Sequence, residues 1–225
     1  MKKSFSLIEL IIIIIVVGIL YSSINVTLAN TSLNQAADQI ISHINYTRHL
    51  AIVDNKFQYY PTNSSTIEGN RSKYWFKQWW QIRISQKTSG EYFYEVFSDS
   101  PDFNRVGGPV SEYGLEPINK KYLAGNYNVD TADKKLKLTD YFDIKKILYN
   151  NIEVTSSIRL IFDNYGNVYS LEGKQGDGED INPYDKNERK PLLQMAKITL
   201  CKDNNCEKNI SICISPKIGN VYLCK

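Results

Sequence analysis

Apolar residues crowd the start of the chain and thin into periodic patterns after it. From Leu10 to Ala37 no side chain ionises except that of Tyr21, and residues 5–24 supply the ~20 apolar positions that a helix needs to cross a ~30 Å hydrocarbon layer. Beyond this run, Leu33, Ala36, Ala37, Ile40, Ile41, Ile44, Thr47, Leu50 and Ala51 recur at the three-and-four spacing of one helical face. Asn34, Gln35, Asp38, Gln39, Ser42, Asn45 and Arg48 fall on the other. The pattern predicts one helix over 5–53, roughly 70 Å long at 1.5 Å per residue. Its first half is apolar all round and belongs in lipid or a filament core, whereas its amphipathic second half should carry a sheet.

After Asn55 the period shortens to that of strands. In residues 73–85 Trp80, Ile82 and Ile84 share one face and Trp79, Gln81, Arg83 and Ser85 the other, and 91–98 follows through Thr88, Ser89 and Gly90 as a hairpin partner. Residues 101–139, rich in Gly, Asn, Asp and Lys, read as an irregular excursion with little core, ahead of a short helix near 140–149. Strands return at 157–162 and 167–171 around a turn at 163–166, and a polar loop occupies 173–189. A meander of 196–201, 209–215 and 221–224 closes the chain.

Charge changes this picture at the N-terminus. Lys2 and Lys3 precede the apolar run and no Lys or Arg follows it until Arg48, which predicts a single-pass protein with a cytoplasmic N-terminus and a periplasmic head. Apart from these two lysines the chain is nearly balanced, with a formal net charge of +3 for 225 residues, so no whole-chain attraction to nucleic acid is implied. Glu9 is out of place for a plain anchor, because a carboxylate inside an apolar span costs about 2–3 kcal/mol or more without a partner. A cut before Phe5 would create an α-amine that, on a neighbouring copy, supplies that partner in low dielectric.

The segment Lys-Lys-Ser-Phe-Ser-Leu-Ile-Glu-Leu resembles the cleavage and methylation signal of type IV prepilins and type II secretion pseudopilins. In that family a basic leader ends in a small residue, usually Gly, the mature chain begins with Phe, and Glu is its fifth residue. Here these map onto Ser4, Phe5 and Glu9, with Ser4 the departure. The resemblance implies cleavage between Ser4 and Phe5 by a prepilin peptidase, N-methylation of Phe5 and a role for Glu9 in assembly. Towards the other end, 158–166 and 198–200 followed by 210–221 resemble GspH/FimT-type minor pseudopilins, in which a strand ending in Gly precedes a hairpin, a Gly turn and a last strand. The implied fold is α+β: a pilin fold whose long N-terminal helix, transmembrane in its first half, packs on a C-terminal antiparallel sheet. The implied divisions are a leader at 1–4, a helix at 5–53 that spans the inner membrane at about 5–25, and a periplasmic β-rich head at 54–225.

Cys201, Cys206, Cys213 and Cys224 lie far from either histidine and contain no CxxC, which favours disulfides over zinc or redox catalysis. Of the three connectivities, Cys201 with Cys206 and Cys213 with Cys224 is expected, since each pair flanks a turn. Asp177, Glu179, Asp180 and Asp185 lack the spacing of an EF-hand and read as a solvated loop. His43 and His49 share no helical face and read as plain helix residues. Arg71, Lys73, Lys77 and Arg83 interleave with aromatics, a composition able to hold single-stranded DNA, although a strand with a charge-blunted edge explains them more simply.

No nucleophile, base and orienter cluster is visible, so neither enzymatic activity nor a cofactor or metal is expected. The sequence therefore reads as a minor pilin or pseudopilin of a type II secretion pseudopilus or type IV pilus. Its expected partners are other such subunits, the prepilin peptidase, the inner-membrane assembly platform and the membrane itself. The rival reading is a membrane-anchored periplasmic binding module, with DNA in competence as one ligand.

Overall fold

The computed structural model describes residues 7–54, 56, 75, 78–98, 112–127, 129–173 and 191–224, the side chains of 21–30 and 171–173 excepted. Helix α1 (Leu7–Val53) is 47 residues long. Between residues 33 and 51 it buries Leu33, Ala36, Ala37, Ile40, His43, Ile44, Thr47 and Ala51, the stripe that i, i+3, i+4 spacing places on one side.

Two antiparallel sheets of five strands receive this stripe. Strands β1 (Trp80–Gln86), β2 (Tyr92–Ser98), β3 (Glu112–Tyr113), β6 (Ser157–Phe162) and β7 (Val168–Gly173) form the first, in the order β3-β2-β1-β6-β7. Strands β4 (Lys146–Tyr149), β5 (Ile152–Glu153), β8 (Ala196–Cys201), β9 (Asn209–Ile214) and β10 (Val221–Leu223) form the second, in the order β10-β9-β8-β4-β5. Trp80, Ile82 and Ile84 alternate onto the inner face of β1, opposite Phe162, Leu160 and Ile158 of β6, as period-2 spacing requires. One continuous core joins α1 to both sheets. The sheets are also tied directly, by a 2.6 Å hydrogen bond between Tyr149 Oη and Ser170 Oγ and by the backbone bond from Val168 N–H to Lys217 O.

This arrangement corrects the expected fold class. A long helix with a transmembrane first half, lying on one C-terminal sheet, is not what the chain forms. By elements the described residues are mostly β, ten strands in two sheets beside α1, a 3-10 turn (Lys134–Leu136) and the five-residue helix α2 (Leu138–Phe142). No helix among the described residues is long and apolar enough to cross a membrane. The transmembrane segment, the inner-membrane placement and the periplasmic head inferred from it do not stand.

The excursion expected to hold little core also differs. Leu123, Ala124, Ala132, Leu136 and Leu138 are all buried, because this segment folds back along β2 through backbone bonds such as Val96 N–H to Leu123 O and Gly125 N–H to Tyr94 O. Gly125 makes that approach possible: a Cβ there would stand 2.4 Å from Tyr94 O. The helix expected near 140–149 stops at Phe142, where Asp143 turns left-handed (φ 55°) and its N–H closes the last turn on Leu138 O and Thr139 O. The chain then becomes β4, which reverses into β5 through Asn150 and Asn151, at φ 49° and 68°. Paired positive φ values are what a two-residue hairpin turn demands, and Asn tolerates them.

The core assignment has a direct check. Ile44→Ala should lower the unfolding free energy by about 2–5 kcal/mol through the lost packing and the cavity left behind, whereas Ile14→Ala, at an exposed site, should change it by no more than about 0.5 kcal/mol. Urea denaturation followed by circular dichroism measures both.

Candidate functional site

The two ends of α1 have opposite surroundings. Ile40 and Ile44 are fully buried, but every large hydrophobic described from Leu7 to Leu20 is exposed, between 46% at Ile13 and 78% at Leu7. Glu9 lies in the first turn of this apolar stretch, where backbone N–H groups and the helix dipole favour a negative charge. A contiguous apolar surface of this extent exceeds the few hundred Å² that lone proteins expose. Ser4 and Phe5, the expected cleavage and methylation positions, lie outside the described residues.

The other end of α1 is locked to the head by polar groups. Gln39 Nε2 donates to Tyr94 Oη at 2.6 Å, and Tyr94 Oη lies 2.7 Å from His43 Nδ1. Since Gln39 fills the acceptor role of the phenol, Tyr94 O–H donates to Nδ1, which leaves the imidazole proton on Nε2. Burial holds the phenol well above its ordinary pKa, so it stays a neutral donor. Further along, Arg48 Nε donates to Gly166 O at 3.2 Å. Gly166 ends the turn after β6 at φ 77°, and a Cβ there would meet Ile52 Cδ1 at 2.9 Å. Asp163 pins that turn: Oδ1 accepts from Tyr165 N–H at 3.0 Å and Asn167 N–H at 2.8 Å, and Oδ2 from Tyr169 O–H at 3.2 Å. His43 is thus a buried part of the joint rather than a plain helix residue. Only its contact partner 51 residues away reveals this.

Disulfides join Cys201 to Cys206 and Cys213 to Cys224, with Cα atoms 4.9 and 5.2 Å apart. The first closes the β8–β9 turn, and the second ties the end of the chain to β9, where Cys224 N–H also donates to Ser211 O. Of the basic residues considered for DNA, Arg71, Lys73 and Lys77 lie outside the described residues, as do Asp177, Glu179, Asp180 and Asp185. Arg83 is engaged within the head. It pairs with the fully buried Glu95 directly opposite on β2, through Nε at 3.1 Å and through Nη2, and its guanidinium lies 4.9 Å from the centre of the Phe97 ring.

Beside the last turn of α1 is a cavity of about 370 Å³, which Trp75, Trp79 and Trp80 line together with Asp54, Gln78 and Asn164. Trp80 Nε1 donates to Asp54 Oδ2 at 2.8 Å, and Lys56 Nζ lies 2.6 Å from the same carboxylate. The sequence marked the Trp-bearing strand, but not the pairing of its start with the end of α1.

Burial lowers the pKa of His43 below the ordinary imidazole value of 6.5, and the carboxylates of Glu116 and Asp133 pull it back by less. The unfolded chain therefore takes up this proton first as pH falls. The stability that neutral His43 contributes is complete above the unfolded value and is lost progressively below it. Urea unfolding between pH 7.5 and 5.5 should show a decline below about pH 6.5 that His43→Gln flattens. No protein family, no curated protein and no solved structure matches this chain.

Proposed function

We propose that the chain is a minor structural subunit of a pilin- or pseudopilin-type filament, of a type II secretion pseudopilus or a type IV pilus, assembled through the exposed start of α1. The carrying observation is the change of environment along one continuous helix, from the fully buried Ile44 to Ile14 at 61% exposure. The head buries the stripe of α1 from Leu33 to Ala51, whereas the apolar side chains from Leu7 to Leu20 are exposed and need apolar partners. Helices of neighbouring subunits provide them, because identical apolar cylinders pack side by side with ridges in grooves and remove the same surface from water.

The motif around Glu9 supports the same reading. Cleavage between Ser4 and Phe5 by a prepilin peptidase places a new α-amine near the apolar end of α1, and methylation at Phe5 retains its positive charge. The amine of one subunit then meets the Glu9 carboxylate of the next, a pairing whose strength rises as packed helices exclude water. That contact sets the axial offset between neighbours. The two disulfides suit a head that stands on the outside of such a fibre, since they limit the freedom of the chain end there.

Mass spectrometry of filament-borne protein should find a chain that begins with methylated Phe5. Glu9→Ala should abolish its incorporation into filaments while the urea midpoint of the head stays unchanged. Recovery of chains from fibres with Met1–Ser4 intact, or normal incorporation of Glu9→Ala, would overturn the reading.

A further inference from the structure

We infer that the Cys213–Cys224 disulfide is a redox latch, whose reduction frees β10 from the second sheet while the rest of the head stays folded. β10 is three residues long and lies at the edge of its sheet, with β9 its one strand neighbour among the described residues. Of its three side chains Val221 alone is buried, at 6%, whereas Tyr222 and Leu223 are exposed. One buried valine does not offset the entropy lost in ordering residues 220–224. The backbone bonds to β9, among them Cys224 N–H to Ser211 O and Ser215 N–H to Asn220 O, add little net free energy, because water replaces them when the strand leaves. What keeps the segment closed is the covalent link at its far end.

The segment is a strap with one fixed end. Lys217 O accepts from Val168 N–H at 3.1 Å, and Lys217 N–H donates to Leu192 O at 3.0 Å, so the turn that leads into β10 stays anchored on β7 with or without the disulfide. After Gly219, at φ 61°, the next covalent hold is Cys224, joined to the Cys213 that pairs with Tyr222. Opening therefore swings 220–224 about Gly219. It uncovers the edge of β9 together with Ile212 and Ile214, which are fully buried and stand opposite Leu223 and Val221.

The other disulfide lacks this role, because its turn is fixed without it. Lys202 N–H donates to Lys208 O at 2.9 Å and Cys206 N–H to Asp203 O at 3.2 Å. The Asp203 carboxylate accepts from Glu207 N–H at 3.0 Å and Lys208 N–H at 2.9 Å. β8 and β9 also pair along six residues each.

A dithiol supplies the two electrons that opening requires. Its thiolate attacks Cys224 Sγ, which is part-exposed where Cys213 is buried; the Cys213–Cys224 bond breaks, a mixed disulfide forms on Cys224, and Cys213 leaves as a thiolate that takes up a proton. The second thiol of the reductant then displaces Cys224, which leaves two cysteine thiols and a cyclic disulfide. Glutathione disulfide closes the latch by the reverse exchange. The latch concerns the head alone and does not rest on the filament reading.

Hydrogen exchange of the full chain, followed by NMR, tests it. The reporters are the amides of Cys224, bonded to Ser211 O, and of Tyr222, which the alternation of an antiparallel ladder turns towards β9 in the same way. Dithiothreitol should speed their exchange about a hundredfold, as expected for the loss of a link that closes a short loop, with Ile198 and Leu200 in β8 unchanged, and glutathione disulfide should restore the protection. Cys213→Ala combined with Cys224→Ala should exchange like the reduced chain, and Cys201→Ala combined with Cys206→Ala like the oxidised one. Protection of Tyr222 and Cys224 that survives loss of the Cys213–Cys224 link overturns the inference. So does a loss that spreads to Ile198 and Leu200, which would make the disulfide a staple of the whole head, or an equal loss at β10 in the Cys201 and Cys206 variant.

Discussion

The structure depends on one face of one helix serving two sheets at once. Between residues 33 and 51, α1 lies against β1, β2 and β6 of the first sheet and β8, β9 and β10 of the second, and all of them share a single core. Neither sheet has another apolar partner of that length among the described residues. The small side chains of Ala36 and Ala37, both fully buried in the shared core, let the helix axis approach it closely. A larger residue there would push α1 away from that core, since close-packed interiors do not absorb added volume.

The same joint contains polar groups that an apolar core would otherwise exclude. His43, Tyr94 and Gln39 satisfy one another in a short chain of hydrogen bonds, and Thr47 Oγ1 returns its proton to His43 O at 2.6 Å. Such groups add little net stability, yet each costs heavily if its partner is displaced. Their effect is to fix the rotation and register of α1 on the head, which hydrophobic contact alone leaves loosely determined. Arg48, reaching Gly166 O, fixes the helix again at its far end. A helix held at two points of its buried part projects its exposed part in one direction.

The head separates two kinds of surface along that axis. At the start of α1 the exposed groups are aliphatic with one carboxylate, suited to contacts that exclude water over a long strip. At its end Trp80 and Gln78 are buried, and Lys56 pairs with Asp54 and Glu112 beside the cavity.

Local pattern alone identified the stripe of α1 that packs, from the spacing of Leu33, Ala36, Ala37, Ile40, Ile44 and Ala51, and the inner face of β1, from Trp80, Ile82 and Ile84. It also located the turns at Gly90, Gly166 and Gly219, all of which have positive φ. These are legible because period and turn chemistry are properties of neighbouring residues. The division into two sheets was not: it rests on β1 pairing with β6 and β4 with β8, partners separated by long stretches of chain whose matching no local period records. For the same reason β4 resembled a helix, since Tyr141, Phe142, Ile144, Ile147 and Leu148 fit either period until Asp143 breaks one of them. The apolar N-terminal run fixed how much surface must leave water, but its length and composition did not determine what should cover it. The Trp cavity and the His43 joint were decided by tertiary structure alone, because each is made of residues from separate elements that meet only when the helix and the sheets close on one another.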